Sequence, residues 1–240
     1  MAINVNTVYT TVLSILNKEQ RGYMTPDEFN KVGTQVQLEM FEKYFEDLNQ
    51  QLRVPLQAAQ MDAEYADRIK TTEEKISIFE TSNDLTYAAG SFFMSATNPT
   101  IHRIGTIQYE PYGSLPVEIQ RLTQKEYNLV QRSKLTAPTK KWPVYKEEGD
   151  LFYVYPDTIQ KQVKAYYIKK PSDVVWGFTP GSLGQYTYSS TASTDFELDA
   201  IEQTEVILNI LMYAGVIIRD PQIIQSAQQM AMAEDQNEKS

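Results

Sequence analysis

No cysteine occurs anywhere in these 240 residues, and histidine occurs once, as His102. The first absence excludes disulfides, thiolate zinc sites and cysteine nucleophiles together, and it fits assembly in a reducing cytoplasm. The second leaves His102 as the single imidazole through which a Ser-His-Asp triad could run, and no GxSxG turn accompanies it. A histidine-rich metal site is excluded by count. Within Pro99-Thr100-Ile101-His102-Arg103 the histidine reads as a surface or strand-end residue.

Long hydrophobic runs are missing too. The longest lies within Val206 to Ile218 and is interrupted by Asn209, whereas a bilayer span needs about 20 apolar residues. No membrane association is expected. The opening MAINVNTVYTTV lacks a basic region and an apolar core, so it is not expected to be a secretory signal. Gly181-Ser182-Leu183-Gly184 has neither a following Lys-Ser/Thr nor a helix opening, so no phosphate-cradling loop is present. Positive charge is short: 22 Lys and Arg face 31 Asp and Glu, a net charge of −9. Affinity for DNA comes mainly from Lys and Arg displacing counterions, so an acidic chain grips phosphate poorly, although DNA can still pass close by.

What the chain does hold is a helical pattern at each end and a strand pattern between. Val8, Val12, Ile15 and Leu16 have helical spacing. Thr25 as N-cap, Pro26 in the first helical position and Glu28 closing a capping box mark the start of a helix that runs to about Gln51. A shorter helix or irregular stretch covers Ala58 to Ile69. Ser82-Asn83-Asp84 is a turn signal, Ile101 to Tyr109 suggests one or two strands, and Pro116 to Gln131 reads as a short helix. From Arg121 to Trp176 short Tyr-rich segments alternate with proline- and charge-bearing turns. The apolar runs are Trp142 to Tyr145, Leu151 to Tyr155 and Val163 to Ile168.

Gly177 to Thr194 is rich in Gly, Ser, Thr and Tyr and reads as an exposed loop or extended hairpin. Asp195 to Arg219 reads as a helix with a Ser/Thr/Asp cap, apolar on nearly every face between Val206 and Ile218. Such a helix must be buried on several sides, by its own domain or by a neighbouring copy. Asp220-Pro221 stops it and opens a further helix to about Ala233. The expected fold is therefore α+β: a helical body from the N- and C-terminal helices with a central strand-rich antiparallel module. Its parts are an N-terminal helical segment at 1–75, the module at 76–176, a flexible loop at 177–194, and helices at 195–240 that pack on the N-terminal part.

Three patterns invite a chemical reading. Asn17 to Phe29 mimics a calcium-binding loop between two helices, with Gly22 at the turn and Glu28 at the twelfth position. Arg21, however, stands where an oxygen ligand belongs, and a guanidinium has no acceptor. A helix–turn–helix with a capping box explains the same residues. Carboxylate pairs such as Glu73-Glu74 and Glu147-Glu148, with 16 Tyr and 2 Trp, allow a carbohydrate-binding or glycan-hydrolysing alternative. Aromatics are equally enriched at protein interfaces. The lysines of the meander, including Lys134, Lys140, Lys141 and Lys146, read as a solvated face or a partner surface, and they also discourage edge-to-edge pairing. No catalytic, cofactor-binding or metal-binding residue is assigned, and no enzyme is expected.

The chain resembles the head-to-tail connector proteins of short-tailed bacteriophages, most closely the neck ring proteins of crAss-like phages. Three segments carry the resemblance, and together they cover a little over half the chain. The first is Leu16 to Tyr23 with Pro26 to Phe29 and the Gln35-to-Tyr44 helix. The second is Leu135 to Thr139 with Pro143 to Tyr145, Val154 to Pro156 and Tyr167 to Pro171, up to Trp176. The third is Phe196 to Gln229, with Tyr213-Ala214-Gly215 and Arg219-Asp220.

The resemblance implies a homo-oligomeric ring, usually dodecameric, seated under the portal protein, holding the tail or further neck rings and leaving a channel for DNA. Its place would be the virion neck, after assembly in the host cytoplasm. Trp142, Tyr145, Tyr155, Tyr167 and Trp176 are the expected contact anchors. Tyr186, Tyr188, Tyr213, Ile217 and Ile218 join them from the loop and the C-terminal helix.

Overall fold

The computed structural model describes residues 2–18, 23–53, 68–181, 185–217, 229 and 232. The fold is α+β and separates into two compact units. One takes both ends of the chain, Met1–Ile78 and Pro171–Ser240; the other is the continuous stretch Phe79–Lys170. The strand-rich unit thus starts after residue 78, and Pro171 to Trp176 belongs with the helices.

In the helical unit, α1 (Val5–Lys18) buries Val5, Val8, Val12 and Leu16, one face at three-and-four spacing. Its start is fixed from far away: the Asp195 carboxylate accepts the Val5 N–H at 2.8 Å, and Ile3 and Phe196 exchange backbone hydrogen bonds. Helix α2 (Pro26–Arg53) opens at Thr25, whose N–H and hydroxyl both donate to Glu28 Oε2 at 2.8 Å while its Oγ1 accepts the Glu28 N–H at 3.3 Å. That is the capping box the sequence announces. Phe29, Val36, Met40, Phe41, Tyr44 and Phe45 are its buried face.

Helix α3 (Arg68–Ser77) packs on α2. The stretch from Asp195 is not yet helix: Asp195 caps α1, and a short 3-10 turn at Ala200–Glu202 leads into the last helix of the unit, which starts only at Gln203. That helix runs Gln203–Ile217 and packs on α1 and α2, burying Val206, Ile210, Leu211 and Ala214. Ile207, Leu208 and Met212 stay half-buried, so among the described residues its apolar surface is only partly covered. The helix expected over 221–233 lies outside the described residues, apart from residues 229 and 232.

A polar ladder joins the chain's two ends. Asn30, Thr34 and Gln37 occupy one face of α2 and hold the extended segment 172–176 alongside it. Trp176 N–H donates to Asn30 Oδ1 at 2.7 Å, and Val174 N–H to Thr34 Oγ1 at 3.0 Å. Gln37, fully buried, donates through Nε2 to the Ser172 carbonyl at 2.7 Å. Its Oε1 accepts the Glu197 N–H at 2.8 Å.

The other unit holds β1 (Glu80–Asp84), β2 (Thr86–Ala88), β3 (Ser91–Phe93), β4 (Ile101–Tyr109) and β5 (Val117–Arg121). Helix α4 (Gln124–Val130) comes next, then β6 (Val144–Glu148), β7 (Leu151–Tyr155) and β8 (Val163–Lys169). With α4 so placed, the Gln203–Ile217 helix is α5. The strands form one sheet in the order β1-β8-β4-β5-β6-β7-β3-β2, antiparallel except for β5 beside β6.

The two outer strands of that order, β1 and β2, are separated in sequence by Leu85 alone. One bent strand therefore supplies both edges, and the sheet closes into a barrel at the Leu85 bend, where the Leu85 N–H donates to Val163 O at 2.9 Å. Phe92, Ile107, Ile119, Phe152, Val163 and Ala165 fill the interior. The β2–β3 turn is Ala89-Gly90 with both residues at positive φ, the geometry that matches strand twist in a two-residue hairpin.

Two local expectations change. Ser82-Asn83-Asp84 is not a turn but the end of β1, paired with Tyr166, Ala165 and Lys164. Pro116 to Gln131 is not one helix: Val117–Arg121 is β5, and α4 begins only after Thr123, whose capping box with Glu126 fixes the boundary.

Candidate interaction surfaces

Large apolar side chains left in water on an ordered backbone mark the surfaces of interest. The connection from α4 to β6 is the first. Ser133 accepts the N–H groups of Thr136 (3.2 Å) and Ala137 (3.0 Å) through its carbonyl, and the Thr136 hydroxyl donates to Val130 O at 2.7 Å. Thr139 and Trp142 exchange backbone hydrogen bonds at 3.2 and 3.0 Å around Lys140-Lys141, closing a tight turn. The backbone is pinned, yet Leu135 is 94% and Trp142 78% exposed. The β4–β5 turn is the second, with Tyr112 95% and Leu115 85% exposed around the Ser114 N–H to Pro111 O bond.

A third surface lies on the helical unit. Within 177–194, expected to be a flexible loop or an extended hairpin, strands β9 (Phe178–Pro180) and β10 (Tyr186–Tyr188) pair as a hairpin. Its root is Trp176, buried against Tyr9 at 4.4 Å between ring centroids, with its Nε1–H donating to Asn6 Oδ1 at 3.0 Å. Phe178 stacks on Trp176 at 5.9 Å and meets Tyr186 edge-on at 4.6 Å. Tyr188 lies 5.8 Å from Trp176. The outer rings, Phe178 and Tyr186, are exposed, so an aromatic ridge grows from a buried tryptophan.

The ten residues expected to make contacts separate by depth. Trp142 and Tyr186 are exposed, and Tyr155, Tyr188 and Tyr213 half-buried. Tyr145, Tyr167 and Trp176 are at most 5% exposed and pack the interior, so their rings offer no surface. The reason is strand parity: Val163, Ala165 and Tyr167 share the inward face of β8, and Tyr145 pairs with the inward Val154. Burial also pushes the Tyr145 hydroxyl's pKa up. Tyr213 donates its hydroxyl to Glu39 Oε1, and that bond, ahead of burial, pushes its pKa up to about 12. Ile217 ends α5, and Ile218 lies outside the described residues. Leu135, Tyr112 and Leu115 were missed; the Pro111-Tyr112-Gly113-Ser114-Leu115-Pro116 turn signature was the available clue.

Two polar sites lie apart from these apolar surfaces. A groove of about 460 Å³ on the barrel is lined by Ile101, His102, Arg103, Arg121, Glu147 and Asp150 among others. Its charges answer one another: Arg121 pairs with Glu147 at 3.0 Å, and Arg103 Nε donates to His102 Nε2 at 3.3 Å. In the helical unit the buried Glu202 accepts from the Tyr44 hydroxyl and pairs with Lys75 at 2.8 Å, while Lys43 pairs with Glu205 at 2.9 Å. Burial first, and the Glu202 charge second, raise the Tyr44 pKa well above the usual phenol range. This network ties α2, α3 and the start of α5 together.

The calcium-like loop reduces to its flanks, because residues 19–22 lie outside the described residues. Its twelfth-position carboxylate, Glu28, is engaged by Thr25. Among the described residues no group of three or more His, Asp or Glu is placed to hold a metal ion, and no helix is long and apolar enough to cross a membrane. Comparison of the sequence with protein-family models and with curated proteins gives no match.

Proposed function

We propose that this chain is a non-enzymatic virion protein that assembles with copies of itself into a ring in a bacteriophage neck. In this reading the ring joins the portal to the tail or to further neck rings and lets DNA pass without sequence-specific binding. The observation that carries it is the set of large apolar side chains held in water on pinned loops: Tyr112, Leu115, Leu135 and Trp142. A folded monomer has no use for a tryptophan 78% exposed on a hydrogen-bonded turn, and a subunit has. The half-buried apolar face of α5 and the resemblance in the three segments named above support the same reading. An overall charge of −9 suits a conduit that must not hold phosphate.

Sedimentation velocity of the purified chain, with mass spectrometry of purified particles, tests the proposal. The expected result is a discrete ring species, or a monomer in solution that is recovered in particles in multiple copies. A chain that is monomeric at every concentration and absent from particles contradicts it.

A further inference from the structure

The two units differ sharply in charge. Between Phe79 and Lys170 stand 12 Lys and Arg against 9 Asp and Glu, which leaves 10 against 22 for the rest of the chain. The barrel unit is therefore net basic, by three, and the helical unit net acidic, by twelve. The basic excess is concentrated where the apolar side chains are exposed. From Tyr127 to Tyr145 the sequence holds Arg132, Lys134, Lys140 and Lys141 and no acidic residue. All four are exposed, and their side chains make no ion pair among the described residues. On the helical unit, Glu39, Glu42 and Glu46 repeat along the exposed side of α2, and Glu73 and Glu74 are exposed on α3, which packs against α2 and adds one exposed cation among the described residues, Lys70, so carboxylates prevail.

We propose that the Gln131–Pro143 loop of one copy docks on the acidic α2–α3 surface of a second copy, with Trp142 and Leu135 as its apolar anchors. This contact rests on the ring reading above and names its lateral interface. The two surfaces are different patches of one chain, so the contact is head-to-tail, the arrangement that closes into rings. Opposite charge selects the partner and the register, and the desolvated tryptophan supplies the affinity. Nucleic acid is the other polyanion such a loop could meet. Two leucine- and tryptophan-sized anchors beside four cations match a protein surface better than a phosphate backbone, and the matching acidic surface is present on the chain itself.

The test uses two full-length variants with complementary charge. R132E/K134E/K140E/K141E makes the loop acidic; E46K/E73K/E74K makes the helical surface basic. Each copy should repel itself, so neither variant alone sediments as an assembly, whereas an equimolar mixture does, because each loop again meets a surface of opposite sign. Trp142→Ala should weaken assembly by about 30-fold, the size of an interfacial hot spot, with an unchanged circular dichroism spectrum.

Variants that assemble alone as the parent does overturn this contact and leave the ring standing. So does a mixture that fails to assemble although both variants are folded. Unchanged assembly with reduced retention on DNA-cellulose assigns the loop to DNA and also overturns it. A parent chain that never assembles and is absent from particles removes the ring reading itself.

Discussion

Replacing Gln37 by methionine removes the clamp between the chain's two ends without changing side-chain volume much. Gln37 is fully buried and bonds the Ser172 carbonyl at 2.7 Å and the Glu197 N–H at 2.8 Å. Methionine keeps the packing and supplies neither bond. Each of the two backbone groups left without a partner in a partly buried setting costs about 1–3 kcal/mol, so the helical unit should lose about 2–6 kcal/mol. For contrast, Gln35 bonds Glu39 at 2.8 Å on the exposed side of the same helix, where an i,i+4 pair contributes only about 0.2–0.5 kcal/mol.

Urea unfolding followed by Trp176 fluorescence, in a Trp142→Phe background, isolates the helical unit, because Trp176 is buried there. Gln37→Met should lower the midpoint with an unchanged slope, and Gln35→Ala should scarcely move it. A loss below about 0.5 kcal/mol for Gln37→Met would refute the claim that this residue joins the ends.

Three further outcomes are expected. The Thr25 N–H and hydroxyl hold the Glu28 carboxyl below its ordinary 4.5, so its contribution is complete above that pH and is lost as pH falls through the lowered value. An acid titration by circular dichroism should therefore be shallower for Glu28→Gln than for the parent, and identical curves would contradict the capping account. Gly177→Ala would bring a Cβ within 2.4 Å of the Ala192 carbonyl oxygen, and a backbone shift at the root of the aromatic hairpin should cost about 1–3 kcal/mol in thermal unfolding. Calorimetry with micromolar calcium should show no binding heat, because Glu28 is occupied by Thr25 and Arg21 stands at a ligand position; a saturable isotherm would overturn this.

Local chemistry made part of this fold legible. The Thr25-Pro26-Glu28 start of α2, the β7 bounds Leu151 to Tyr155 and the alternation along β8 follow from caps and period-two burial. Strand β1 was hidden because Glu-Thr-Ser-Asn-Asp is polar throughout and forms only by pairing with β8, whose partner residues lie more than 75 positions away. Strand β5 was hidden because Ile119, Leu122 and Leu129 recur at helical spacing, which masks the period of two between Val117 and Ile119. The Thr123-x-x-Glu126 box was the signal that separates it from α4. Closure of the barrel through Leu85 is a long-range event with no local signature.

The same distinction governs the surfaces. Aromatic content announced contacts, but only strand parity divides Tyr145 and Tyr167, which are core, from Tyr155, which is half-buried. Exposure of Leu135 and Trp142 follows from the hydrogen-bonded turns that lift them off the barrel, which composition does not encode.

Cryo-microscopy of purified particles, with density assigned around the portal axis, decides whether this chain builds a ring. A closed ring of the chain is expected on that axis, enclosing the DNA path, with the Trp142 loop of each copy against the acidic helices of the next. Particles without the chain, or with it bound as single copies away from the axis, rule the ring out.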